Sequence, residues 1–149
     1  MKIYFDSSFL ASLYIQDSNS FEAISLIKKL RVGVIFTQLQ HFELLNTLRL
    51  CVFRKQVSQD VSGKAEAMVR DDIKNGFFVE TVVPWFSIFS DAIKISERLT
   101  GETGCRAADM LHIAIAGHLK CSHLWSFDQR QNVAAKAAGL EILKLETKG

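Results

Sequence analysis

Apolar residues recur along this chain in two rhythms, and the two alternate from one end to the other. Residues 2–5, KIYF, have the character of a strand, and SSFLASLYI after them sets Phe9, Leu10, Leu13 and Tyr14 at helical spacing. A strand therefore runs into a helix at Asp6. Asn19 with Glu22 three residues on has the form of a helix start, which Phe21, Ile24, Ile27 and Leu30 continue. VGVIF is a second strand, nearly continuous in apolarity. Thr37 and Gln40 predict a capping box that opens a helix over residues 38–55, with Glu43 in its second turn.

The polar stretch 56–75 predicts one helix or a helical pair on the outside, ended by Gly76. FFVETVV is a third strand stopped by Pro84, and WFSIFSDAIKISERL a helix before a loop carrying Gly101 and Gly104. AADMLHIAIAGHL is a strongly apolar helix containing Asp109. SHLWSF makes a fourth strand ending at Asp128, QNVAAKAAG a helix with a glycine stop, and LEILKLE a last strand. This alternation predicts α/β architecture around a parallel, buried sheet.

Composition narrows the class. A chain of 149 residues has the size of one domain spanning 1–149, able to bury a core without staples. With 48% hydrophobic and 23% charged residues and one proline, it has the make-up of a compact soluble, cytoplasmic protein. The start MKIYFDSS is interrupted by charge too soon for a signal peptide, and no apolar run approaches a membrane span. Cys51, Cys105 and Cys121 form no C-x-x-C pair, so they are expected to be core thiols. A net charge of +2 is too slight to mark a nucleic-acid binder, so a polyanion would need a local patch.

The acids change the picture. In open α/β sheets ligands bind beyond the carboxyl ends of the strands, the position that Asp6 and Asp128 hold. Glu43 and Asp109 sit near helix N-termini among core-type neighbours. Each alone fits a helix-dipole partner or plain exposure. Four carboxylates drawn together would repel one another, and staying ionised at neutral pH would require a counter-cation. Oxygen-only ligands favour Mg²⁺ or Mn²⁺. Asp60, Glu66, Asp71, Asp72, Glu97 and Glu146 lie in polar surroundings and are expected on the solvated surface.

YFDSSFLASLY, FELLNTLR, CRAADMLHIAIA and SFDQRQNVAAKAAGLEI, in that order, resemble the successive motifs of PIN-domain proteins, in particular VapC-type toxins of toxin–antitoxin pairs. The resemblance implies a three-layer α/β/α fold with a five-stranded parallel sheet in the order 3-2-1-4-5. It also implies a Mg²⁺- or Mn²⁺-dependent endoribonuclease, an antitoxin protein as partner, and a homodimer. Motif by motif, the acidic cluster falls on Asp6, Glu43, Asp109 and Asp128, with Asp6 and Asp109 foremost as metal ligands. Ser126 occupies a hydroxyl position that is often Thr in the family, and it or Ser7 is placed to orient a carboxylate or a metal-bound water.

Asn46, one turn after Glu43, is placed either to meet substrate or to hold Glu43. Arg49, Arg54, Arg106 and Arg130 are near the motifs and are candidates to grip phosphates, with a solvated face as the plainer role for each. Of the aromatic residues, Phe9, Phe42 and Phe53 fall in helices near the acids, mostly as core, some available to a partner. His112, one turn from Asp109, is expected to be structural, and His41, His118 and His123 share no zinc spacing.

A phosphotransfer receiver needs an acidic pair after strand one, where FDSS has a single acid; a haloacid dehalogenase phosphatase needs Asp-x-Asp, and position 8 is Ser. The alternatives that stand beside the toxin are a PIN-fold RNA-processing nuclease without antitoxin and a non-catalytic RNA- or protein-binding module.

Overall fold

A computed structural model describes residues 1–142. The expected strand 140–146 is therefore seen only at its start, and Glu146 lies outside the described residues. The chain divides into two compact units. One comprises Met1–Asp6 together with the chain from Val83 on, and the other comprises Ser7–Val82.

The first unit holds β1 (Ile3–Phe5), α5 (Trp85–Thr103), α6 (Ala107–His118), β4 (His123–Trp125), α7 (Gln129–Ala137) and β5 (Glu141–Ile142). Its sheet is parallel in the order β1-β4-β5, with Ile3 opposite His123 and Phe5 opposite Trp125. All three residues of β1 are buried, as are Leu124 and Trp125, so the strands carry the continuous apolarity of a parallel sheet. Helices α5, α6 and α7 pack on one another, and α6 and α7 pack on β4. α6 buries Met110 and every residue from His112 to Ala116. His112 shares a 2.8 Å hydrogen bond with the hydroxyl of buried Tyr4, in keeping with a structural histidine.

The second unit holds α1 (Ser7–Ala11), α2 (Ser20–Leu30), β2 (Val34–Phe36), α3 (Gln38–Phe53), α4 (Gln59–Lys74) and β3 (Phe78–Glu80). β2 and β3 pair in parallel, and Phe36 stacks on Phe78 with ring centres 4.1 Å apart. Gly33 permits this approach, because a Cβ there would stand 2.8 Å from the Val79 side chain. The capping box at Thr37 and Gln40 is present; Gln40 is fully buried and its amide oxygen accepts from the Thr37 N–H at 2.8 Å.

The five-strand order thus occurs as two separate ladders, 1-4-5 and 2-3, and among the described residues no ladder joins strands 2 and 1. Strands of two or three residues leave few rungs with which to form one. Other boundaries also differ from expectation. α1 stops at Ala11, short of the apolar run. At α2 the side chain of Asn19 makes no cap; instead the Asp17 carboxylate accepts from the Asn19 N–H and the Ser20 hydroxyl. Residues 59–74 form one helix. α5 continues through Gly101 and stops only at Gly104, whose φ of 68° suits glycine. An interior glycine costs about 1 kcal/mol, less than abandoning the turn that buries Leu99.

Two acids expected in plain solvent have partners. Glu66 pairs with Arg49, and Asp72 accepts a 2.5 Å hydrogen bond from the Tyr14 hydroxyl. Burial first, and then this bond, raise the Tyr14 pKa far above the usual phenol value. The folded phenol thus stays protonated where the unfolded one ionises. The pair's contribution to stability is complete below a pH of about 10 and is lost as pH rises beyond it. Tyr14→Phe is expected to lower unfolding free energy by about 1 kcal/mol at neutral pH and to flatten the alkaline decline, both measured by denaturant titration.

Candidate active site

Asp6 follows β1 directly and is 5% exposed. Its backbone N–H extends the ladder by donating to the Trp125 carbonyl at 3.1 Å, which brings the ends of β1 and β4 level. The Ser126 hydroxyl then donates to the Asp6 carboxylate at 2.7 Å, while its oxygen accepts the Asp128 N–H at 3.0 Å. Asn132 steadies this turn by donating its side-chain amide to the Ser126 carbonyl at 3.0 Å. A single hydroxyl therefore ties Asp6 to the loop that carries Asp128.

Asp128 lies not in the strand, which ends at Trp125, but at the N-cap of α7, where its carboxylate accepts the Arg130 N–H at 2.9 Å. Helix α7 begins at Gln129, ahead of the run that the apolar pattern marks. The Arg130 guanidinium forks onto the same carboxylate, Nε to Oδ1 at 3.2 Å and Nη2 to Oδ2 at 2.9 Å. That pairing, working against the opposing effect of burial, holds the Asp128 carboxyl below its ordinary range. Asp109 lies in the first turn of α6 and accepts the Arg106 N–H at 2.8 Å, a capping role at a helix start.

The buried Cys105 thiol stands at the entrance to α6. Its pKa is raised chiefly by burial and lowered by a hydrogen bond with Thr103; the charges of Asp109 and Asp128 raise it further, and that of Arg130 opposes them. Both carboxylates and the guanidinium thus lie within electrostatic reach of one sulfur. Nothing in the sequence marks Cys105 as their neighbour, save that it stands four residues before Asp109 at a helix entrance. Cys105 and Cys121 are buried free thiols, and Cys51 is half-buried and free.

Glu43 belongs to the other unit, in the second turn of α3, and accepts from the hydroxyl of buried Ser7 at 2.7 Å. Ser7 is bonded covalently to Asp6. Asn46 is exposed and makes no side-chain hydrogen bond among the described residues, so Ser7, rather than Asn46, steadies Glu43. Arg49 is committed to Glu66 with bonds of 2.8 and 3.1 Å and fastens α3 to α4. Arg54 and Arg106 are exposed. Of the three rings, Phe9 is core, whereas Phe42 and Phe53 are 72% and 83% exposed. Helical spacing alone does not reveal which side of a helix lacks a neighbour.

Among the described residues no three His, Cys, Asp or Glu side chains stand close enough to share a metal ion. Both oxygens of Asp128 are taken up by Arg130 instead. The donor types still suit a hard divalent cation: carboxylates and hydroxyls, with no sulfur or imidazole required. A second observation agrees. Gln131, fully buried beside Asp109 with its amide nitrogen 3.5 Å from the Asp109 carbonyl, leaves its side-chain oxygen without a partner among the described residues, as does Asn132. Orphan acceptors of this kind fit a hydrated site.

The PIN domain family model matches residues 3–137. The crystal structure of FitAcB from Neisseria gonorrhoeae is similar with a TM-score of 0.61 and 14% sequence identity, covering 95% of this chain and 96% of that chain; at such identity the likeness is one of fold. No curated protein matches the chain.

The fork between Arg130 and Asp128 predicts a titration. Because the folded pKa of Asp128 is depressed, the pair's stabilisation is present above the usual aspartate value of about 3.9 and is lost as pH falls through the lower folded value. Carboxyl-carbon NMR is expected to show Asp128 titrating below the ordinary range, and Arg130→Gln to move it upward.

Proposed function

The chain belongs to the PIN-domain family, and from that premise we propose that it is a Mg²⁺- or Mn²⁺-dependent endoribonuclease, the toxin of a VapBC-type toxin–antitoxin pair. PIN domains are generally nucleases that use divalent metal ions. The observation that carries the reading is the linkage at the ends of β1 and β4, where Ser126 joins Asp6 to the Asp128 loop.

Asp6 and Asp109 would hold the ion, with Asp128 completing the carboxylate set of the first unit. A bound divalent ion supplies a water of lowered pKa and a positive charge against a phosphoryl oxygen. Ser126 fixes Asp6 in direction by donating to it, and Ser7 does the same for Glu43. His112 has no part in proton transfer, being buried and bonded to Tyr4. Hydrolysis of the RNA phosphodiester proceeds without a covalent enzyme intermediate, the serines beside the acids serving to orient the carboxylates.

Exposed apolar rings support the partner side of the proposal. Phe21, Phe42 and Phe53 in the second unit stand in solvent and suit an antitoxin's apolar segment. On α5 of the first unit, Phe86, Phe89 and Ile93 form a ridge at helical spacing that suits a second copy of the chain. Among the described residues no helix is long and apolar enough to cross a membrane.

Asp6→Asn, Asp109→Asn and Glu43→Gln are each expected to lower Mg²⁺- or Mn²⁺-dependent RNA cleavage by about 100-fold or more, while circular dichroism shows the fold retained. Expression of the wild type is expected to arrest growth, and that of the same variants to permit it. Undiminished cleavage by Asp6→Asn, or by the wild type in excess chelator, would contradict the metal reading.

A further inference from the structure

Resting on the nuclease reading above, we propose that Arg130 is an internal counter-cation for Asp128: it occupies that carboxylate until a divalent ion takes it, and the freed guanidinium then binds the RNA backbone. The geometry makes the two cations mutually exclusive. The guanidinium uses both Asp128 oxygens, the atoms through which the carboxylate would serve an ion. A divalent charge at the same oxygens also repels the guanidinium at short range.

The exchange requires no refolding. Asp128 keeps its place as N-cap through the backbone N–H of Arg130, a bond independent of where the guanidinium lies. The Arg130 side chain is 51% exposed, and among the described residues Asp128 is its ion-pair partner, so release costs one solvent-screened pair. With the backbone fixed at the first turn of α7, a released Arg130 stays beside the acids. Its planar fork suits phosphate as well as carboxylate. Of the other arginines near the motifs, Arg49 is committed to Glu66.

The consequence is a pair of opposite effects. Removing the guanidinium should strengthen metal binding and weaken RNA binding, whereas a structural role would weaken both and an idle surface residue would affect neither. Calorimetric titration of Mn²⁺ into the full chain is expected to show about three- to tenfold tighter binding by Arg130→Gln than by the wild type. Affinity for a hydrolysis-resistant 2′-O-methyl phosphorothioate oligonucleotide is then measured across salt concentrations, with and without Mn²⁺. With Mn²⁺ present the variant should bind about tenfold more weakly, with a log–log salt slope shallower by about 0.7. Without Mn²⁺ the two slopes should coincide.

Equal Mn²⁺ affinity, with wild-type binding intact, overturns the exchange and leaves the nuclease reading standing. A slope difference present both with and without Mn²⁺, or absent in both, overturns the release step. If neither protein binds Mn²⁺, the nuclease reading falls and the exchange falls with it.

Discussion

Asp6 is an ionisable carboxyl group with 5% of its surface exposed, at the end of a strand whose three residues are all buried. Such a group is tolerated only when other groups meet its charge. Ser126 donates to it, and the rest of the local structure follows from placing that hydroxyl. The register of β1 on β4, extended by the bond from Asp6 to Trp125, sets Ser126 alongside. The Asp128 N–H satisfies the Ser126 oxygen, and Asn132 fixes its carbonyl. Slipping β1 by one residue would turn Asp6 to the opposite face of the sheet and break the linkage at its first step.

The same linkage gathers charge. Asp109 enters from the start of α6 and Asp128 from the start of α7, two helix N-termini whose dipoles favour carboxylates. At Asp128 the Arg130 guanidinium adds to the helix dipole, and the carboxylate is met by a side-chain cation as well as by the backbone. Local pairing, and not the net charge of +2, governs what this surface can bind.

Much of this was legible in the sequence because it depends on local spacing. The Thr37–Gln40 box, the strand ending before Asp6 and the acid at the start of α6 are all determined within a few residues. What was not legible depends on neighbours distant in sequence. Tyr14 and Asp72 are 58 residues apart, and nothing near either announces the other. Phe42 and Phe9 look alike in their helices, yet one is in solvent and the other in the core. The fork from Arg130 to Asp128 is only two residues long, but a charged side chain in a first helical turn has several rotamers, and spacing alone does not choose among them. Gly101 misleads because glycine weakens a helix without ending it when the next turn is well packed.

The central claim is that Asp6, Asp109 and Asp128 share one divalent ion once Asp128 is released from Arg130. Anomalous diffraction from crystals of this protein soaked in Mn²⁺ tests it most directly. The account predicts a single strong peak among these three carboxylates, about 2.2 Å from the nearest oxygens, with the Arg130 guanidinium moved off Asp128. A Mn²⁺ peak elsewhere, or none at saturating concentration with the pair between Arg130 and Asp128 intact, would contradict it.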